Sequence, residues 1–229
     1  MAKKIVKKTK VKFMNLFIVL IVFIGLFFGV KLLLDIKIKN IVISGNSYLN
    51  DDYIINLANI KKYPSFLMLD SSKTCKRICS SNYISSCKIN KKWGFILKIR
   101  INENRPLFYD VSSKRYVLSN YAKVKSDEIN KNFKIPRLLN YVPDKKYRKF
   151  IKGMGYIDDN TLSKISDIEY KSNDFDKDRF LLYMDDGNMV YLTLTKFKMI
   201  NHYDDVLSQL EGHKGILYLD SGNHFKIME

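Results

Sequence analysis

Residues 13–34 read FMNLFIVLIVFIGLFFGVKLLL, twenty-two nearly uninterrupted apolar positions. At 1.5 Å rise per residue, a helix of this length crosses the roughly 30 Å hydrocarbon core of a bilayer. Residues 1–12 carry Lys3, Lys4, Lys7, Lys8, Lys10 and Lys12, and no acid occurs before Asp35. The positive-inside rule then holds the N-terminus in the cytoplasm and places about 195 residues outside, a single-pass type II arrangement in the cell membrane. A cleaved signal peptide shares the basic start, but its apolar region is about 7–15 residues long and ends in a small-x-small site. Here the run ends in Lys31-Leu32-Leu33-Leu34-Asp35, so an uncleaved anchor is expected. Lys31 lies close enough to the outer boundary to snorkel to it.

The external part is long enough for one large or two small cores, and 15 Tyr and 14 Phe supply apolar mass for them. Four prolines and ten glycines argue against a disordered stalk. Setting aside the six N-terminal lysines and Lys31 leaves 33 basic against 23 acidic residues, about +10 outside. The lysines are scattered and no nucleic-acid motif accompanies them, so no nucleic-acid partner is expected. Anionic lipid and acidic wall polymer are the natural counter-charges outside a membrane, beside the plainer reading of a solvated lysine-rich surface.

Downstream of the anchor, Ile36–Ile43 reads as a strand that breaks at Ser44-Gly45-Asn46. Asn50-Asp51-Asp52 offers a cap to a short helix carrying Ile54, Ile55, Leu57 and Ala58. Pro64–Leu69 reads as extended, and Asp70-Ser71-Ser72 caps a second helix reaching about Ser80. Strands at Cys87–Lys91 and Phe95–Ile101 are joined at Lys92-Trp93-Gly94. The sum is a β-α-α-β-β unit over residues 35–104.

Residues 105–229 read as a β-rich domain with flanking helices, which makes the fold class α+β. Strands are expected at Leu107–Val111 and Tyr116–Leu118, and a helix from Asp144 carries Tyr147, Phe150, Ile151 and Met154. Phe180–Met184 and Met189–Leu194 flank the hairpin signal Asp185-Asp186-Gly187-Asn188. Thr195 is placed to cap a helix presenting Phe197, Ile200, Tyr203, Leu207 and Leu210 on one face, stopped by Gly212. A last strand pair, Ile216–Leu219 and His224–Ile227, brackets Asp220-Ser221-Gly222-Asn223.

Catalytic chemistry is not visible. His202, His213 and His224 have no spacing that would bring them together on a metal, and no G-x-S-x-G, P-loop or H-E-x-x-H occurs. Asp158-Asp159, Asp185-Asp186 and Asp204-Asp205 each suit a cap or a turn. Cys75, Cys79 and Cys87 lie within thirteen residues in an oxidising compartment, so one structural disulfide is expected with its pairing open. Zinc is disfavoured because no histidine is near enough in sequence to complete four ligands. No cofactor, metal or small-molecule substrate is expected, and the chain reads as a non-enzyme.

A basic tail, one span, a β-α-α-β-β unit and a terminal β-rich domain resemble the FtsQ/DivIB family of bacterial cell-division proteins, whose first external module is a POTRA domain. Val42-Ile43-Ser44-Gly45-Asn46 is similar to the family's first strand ending in Gly-Asn. Lys91-Lys92-Trp93-Gly94-Phe95-Ile96-Leu97-Lys98-Ile99 resembles its strand pair joined at a basic-Trp-Pro turn, with Gly94 where proline is usual. Ile101-Asn102-Glu103-Asn104-Arg105-Pro106 resembles the Glu-x-Arg-Pro exit. Ile135-Pro136-Arg137-Leu138 resembles a Leu-Pro-x-Leu segment, with Asn140 where glycine is common. The resemblance implies a septal scaffold that binds FtsB/DivIC-like and FtsL-like single-span coiled-coil proteins and controls septal peptidoglycan synthesis. By motif match the binding positions are Ile216, Leu217, Tyr218 and Leu219, acting by strand addition if they form a sheet edge; core packing of a terminal strand is the alternative. An anchored POTRA module that handles translocating polypeptide is the alternative function, and a membrane-anchored hydrolase is a weaker third.

Overall fold

The computed structural model describes residues 13–125, 134–210 and 212–228. The basic tail 1–12, on which the topology expectation rests, lies outside the described residues. Helix α1, Phe13–Leu34, is apolar on every side and its span is unburied among the described residues, as a helix solvated by lipid requires.

Beyond it, strand β1 (Asn40–Ser44), helices α2 (Asp51–Ala58) and α3 (Ser71–Ile78), and strands β2 (Ile84–Lys92) and β3 (Ile96–Glu103) form one layered unit. Its sheet runs β1-β3-β2, with β1 parallel to β3 and β2 antiparallel. Period-two alternation sends Leu97, Ile99 and Ile101 to one face, where they bury against Ile54, Ala58 and Ile78 of the two helices. Asp70 caps α3 as expected, accepting from the amides of Ser72 and Lys73. Asn50 occupies the cap position of α2 but accepts no such bond. Pro64–Leu69 departs from the extended reading. One bridge, Lys37 to Ser65, is followed by a turn in which the Leu69 amide donates to Ser65 O. Gly45 turns the chain at φ +87°, and a Cβ there would lie 2.1 Å from Ile101 O.

The second sheet has nine strands among the described residues. These are β4 (Pro106–Asp110), β5 (Arg115–Leu118), β6 (Lys123–Val124), β7 (Arg137–Leu138), β8 (Ile165–Tyr170), β9 (Arg179–Met184), β10 (Met189–Thr193), β11 (Gly215–Tyr218) and β12 (His224–Ile227). Their order is β12-β11-β10-β9-β8-β7-β4-β5-β6. Helices α4 (Asp144–Met154), α5 (Asp159–Ser163) and α6 (Tyr203–Leu207) complete the unit, with a 3-10 helix over Leu194–His202. Phe150 of α4 centres the core, stacked on Phe180 at 4.7 Å and edge-on to Phe197 at 5.8 Å.

The helix expected from Thr195 is instead this 3-10 segment followed by short α6. The apolar spacing explains the change. Phe197, Ile200 and Tyr203 recur every three residues and eclipse one another at three residues per turn, so all three are buried. Leu207 and Leu210, placed for a 3.6 repeat, are only half-buried.

The two units share a joint. Leu118 and Val124 of the second sheet pack into the core of the first. We expect Gly45→Ala to lower the stability of the first unit by roughly 3 kcal/mol, because it combines a positive φ with a backbone clash. Urea unfolding of the full chain would report this as a lower midpoint with the second unit retained.

Candidate partner-binding surface

Ile216, Leu217, Tyr218 and Leu219 do not form an open edge. Strand β11 lies between two neighbours, parallel to β10 (Tyr191 opposite Tyr218) and antiparallel to β12 (Leu217 opposite Phe225). The turn at Asp220–Asn223 folds β12 back over it, so the free edge at this end of the sheet belongs to His224–Ile227. Leu217 and Leu219 are buried in the core, while Tyr218 is half-exposed on the opposite face.

That outer face carries a continuous ring stack. The Arg179 guanidinium sits 3.5 Å from the Tyr191 ring centroid, Tyr191 stacks on Tyr218 at 5.4 Å, and Tyr218 stacks on His224 at 4.6 Å. Arg179 Nε also donates to Asp220 Oδ2 at 2.6 Å, and Lys196 Nζ donates to Leu219 O at 2.9 Å. The start of the β11–β12 turn is therefore held by two cations from neighbouring elements. Beside the edge runs a cleft of ≈ 440 Å³ bordered by Met199, Tyr203, Val206, Leu210 and Phe225.

The start of β11 is fixed by a polar hub. Asp186 Oδ1 accepts from the Asn188 amide, and its Oδ2 accepts from Asn188 Nδ2 and Tyr203 OH, at 2.8 to 3.0 Å. Buried Asn188 then accepts the Gly215 amide at 2.8 Å. Burial works to raise the Asp186 pKa, but the bonds from Asn188 and Tyr203 outweigh it and hold the carboxyl below its ordinary 3.8. Burial and the carboxylate beside it push the Tyr203 phenol well above its usual value.

The backbone of β12 presents its free groups in a defined order. Met228 N donates to Lys214 O at 2.9 Å, so antiparallel alternation turns the N–H and C=O groups of Phe225 and Ile227 outward. Phe225 packs its ring inward and Ile227 is 53% exposed. These edge residues were hidden in the sequence by the motif match to the preceding strand. The four-residue hairpin turn and the lysine in so short a strand were the available edge signals.

Among the other expected sites, Cys75 of α3 and Cys87 of β2 are joined with Cα atoms 5.4 Å apart, and Cys79 is free and exposed at the end of α3. His202 pairs with Asp205, His224 belongs to the ring stack, and no group of three metal-ligating side chains occurs among the described residues. Asp158 caps α5, Asp185 and Asp186 form the β9–β10 turn, and Asp204 and Asp205 open α6.

Two outcomes follow for these groups. Because the folded pKa of Asp186 is depressed, its contribution is complete above pH about 3.8 and is lost as pH falls through the folded value. Urea midpoints at pH 7 and pH 3 are expected to converge partly in Asp186→Asn, which lowers the first by more than the second. For the cysteines, thiol titration of the denatured, unreduced chain is expected to find one group, and Cys87→Ser to lower stability by about 3 kcal/mol for a loop of this size.

A family profile described as "POTRA domain, FtsQ-type" matches residues 36–104. "Cell division protein DivIB" of Bacillus subtilis (strain 168) is 29% identical over 218 residues, covering 90% of this chain and 82% of that protein. The protein of the same name from Listeria monocytogenes serovar 1/2a (strain EGD-e) is 24% identical, covering 83% of this chain and 72% of its own length. A solved structure of the major extracytoplasmic domain of the trans isomer of DivIB from Geobacillus stearothermophilus aligns with 48% of this chain and 96% of its own, at 22% identity and a TM-score of 0.39. With the apolar anchor and the POTRA-type unit that follows it, the family profile and the sequence relatives support the resemblance: the first external unit is similar to an FtsQ-type POTRA domain, and most of the chain is similar to the DivIB cell-division proteins.

Proposed function

We propose that this cell-division protein works without catalysis, as a septal scaffold that recruits FtsB/DivIC-like and FtsL-like coiled-coil partners and so controls septal peptidoglycan synthesis. Its external domains would lie outside the cytoplasm, as in the DivIB domain from Geobacillus stearothermophilus named above. The observation that carries the reading is the free edge of β12 beside an apolar cleft. An extended partner segment adding to β12 would receive the outward N–H and C=O groups of Phe225 and Ile227. Its alternate side chains would enter the cleft between Phe225 and the Met199–Leu210 segment. Ile216, Leu217, Tyr218 and Leu219 support that edge from behind: the two leucines tie β11 to the core, and Tyr218 braces His224 through ring stacking.

The reading separates two substitutions. Ile227→Pro removes an outward donor while leaving the β11–β12 bonds, and proline is tolerated where an edge N–H faces solvent. It is expected to weaken capture of the FtsB/DivIC-like partner by about tenfold or more, the equivalent of one or two hydrogen bonds, with an unchanged melting curve. Ser221→Pro, at the exposed turn away from that edge, serves as the control and should retain capture. Equal capture by wild type and a folded Ile227→Pro would remove β12 as the site.

A further inference from the structure

The end of the POTRA-type unit nearest the anchor carries a surface apart from the proposed partner edge of β12. Strand β1 leaves the membrane-spanning helix and β3 runs parallel to it, with Asn40 opposite Ile96. The β2–β3 turn, which immediately precedes β3, is therefore at the anchor end of the sheet. Direct bonds fix it there: the Lys39 amide donates to Phe95 O at 3.0 Å. The turn at residues 64–68 is tied to the same place. Ser65 Oγ donates to Leu34 O at the end of α1, and the Phe66 amide donates to Ile36 O at 2.8 Å.

The side chains on these two turns are unusual for water-facing loops. Trp93, the chain's single tryptophan, is fully exposed, and Met68 is 70% and Leu67 47% exposed. Leu67 and Trp93 border one groove of ≈ 400 Å³ floored by Phe66 and Phe95, which meet edge-to-face at 5.5 Å. Single exposed apolar residues need no explanation, but a contiguous aromatic and aliphatic tip does. Lys91 and Lys92 line the groove and Lys39 adjoins it, and the flanking segments add exposed Lys37, Lys61 and Lys62 against Asp35 and Asp70. Lys91 and Lys39 lie over the Phe66 and Phe95 rings at 5.5 and 5.4 Å, and Lys91 Nζ spends one of its three N–H groups on Leu67 O at 3.0 Å, which ties the two turns together and leaves the other two for an anion.

We propose that this tip docks into the interface of the bilayer that α1 spans, with Trp93, Leu67 and Met68 at headgroup depth and the lysines on anionic phospholipid. Tryptophan favours that depth, where an apolar ring and a polar N–H are both satisfied, and lysines beside it are attracted to anionic headgroups. The occupant is set by continuity: the turn at 64–68 is hydrogen-bonded to the last residue of the span, so the lipid surface is the neighbour within reach. Docking fixes the tilt of the first unit and makes it a rigid foot. The proposal rests on α1 crossing the membrane.

Trp93 is its own probe. The full chain would be reconstituted in phosphatidylglycerol–phosphatidylcholine vesicles, with and without bromine on the acyl chains near the headgroup, and excited selectively at tryptophan. Docking is expected to give emission blue-shifted from the unfolded chain, loss of most intensity in brominated vesicles, and protection from iodide. Lys91→Glu with Lys92→Glu should restore part of the lost intensity, and pure phosphatidylcholine should weaken the effect. Carbonate extraction is run on the same vesicles. A carbonate-resistant chain whose Trp93 stays open to iodide and untouched by bromine overturns docking while leaving the span intact. Protection from iodide without bromine quenching assigns the tip to a protein contact and also overturns it. Extraction by carbonate overturns the span and the proposal together.

Discussion

One carboxylate holds the two external units in register. Glu103, the last residue of β3, accepts the amides of Ser47, Tyr48 and Leu49 at 2.8 to 2.9 Å, gathering the β1–α2 loop around the exit of its own strand. Charge-assisted bonds to three backbone donors are among the strongest a half-buried side chain makes. Two residues on, Arg105 pairs with Asp159 at 3.0 Å and donates to Ile157 O, and Tyr48 OH reaches the same Asp159 at 3.1 Å. Burial, helped by this carboxylate, raises the Tyr48 phenol to about 12, so it remains a donor across the physiological range. The loop gathered by Glu103 is thus bonded to the second unit, and Leu118, Val124 and Tyr83 close the other side of the joint. A chain that left the membrane through a loose linker would have no fixed relation between anchor and the proposed binding edge. Here the relation runs through packed side chains and paired charges.

Much of this was legible beforehand because it rests on local chemistry. The span, the Asp70 cap and the Asp185–Asn188 hairpin each depend on a few adjacent residues whose physics allows one answer. The Glu103 and Arg105 roles were visible only as a motif, since their partners lie 52 to 56 residues away. Gly94 shows where analogy misleads. Replacing a family proline with glycine suggests a looser turn, yet Gly94 sits at φ +82° and Phe95 at +62°, a conformation proline's fixed φ forbids. The turn is a different one, not a slack version of the same. Asn140, in place of a common glycine, exchanges two side-chain hydrogen bonds with the Tyr170 backbone at 2.8 and 3.0 Å and continues the β7–β8 ladder past its end.

The misreadings have a common cause. Whether β11 is an edge is a property of the whole sheet, and the sequence of one strand does not encode how many neighbours it has. The same holds for the 3-10 segment: Phe197, Ile200, Tyr203, Leu207 and Leu210 fit a 3.6 repeat on paper. Three of the five, Phe197, Ile200 and Tyr203, also fit a repeat of three, and that is the spacing the core buries, with Phe197 packed so closely on Gly153 of α4 that a Cβ there would lie 3.0 Å from its ring.

Under the proposed function, the short open edge also limits the kind of partner that can use it. Phe225 and Ile227 offer two donors and two acceptors, and a net gain of about 1 kcal/mol for each bond gives roughly 4 kcal/mol, near millimolar affinity before any entropy is subtracted. Backbone pairing alone is too weak to hold a freely diffusing protein. The apolar cleft supplies one remedy, since each aliphatic side chain buried there contributes about 1.5–3 kcal/mol. Confinement supplies the other. A partner anchored in the same membrane meets the edge at an effective concentration set by its tether rather than by its bulk amount, and avidity of 10²–10⁴ follows without new contacts. That gain depends on geometry: it vanishes if the edge swings out of reach. A rigid joint at Glu103 and Arg105 is therefore the structural counterpart of a weak edge, and it suits a partner that spans the same bilayer.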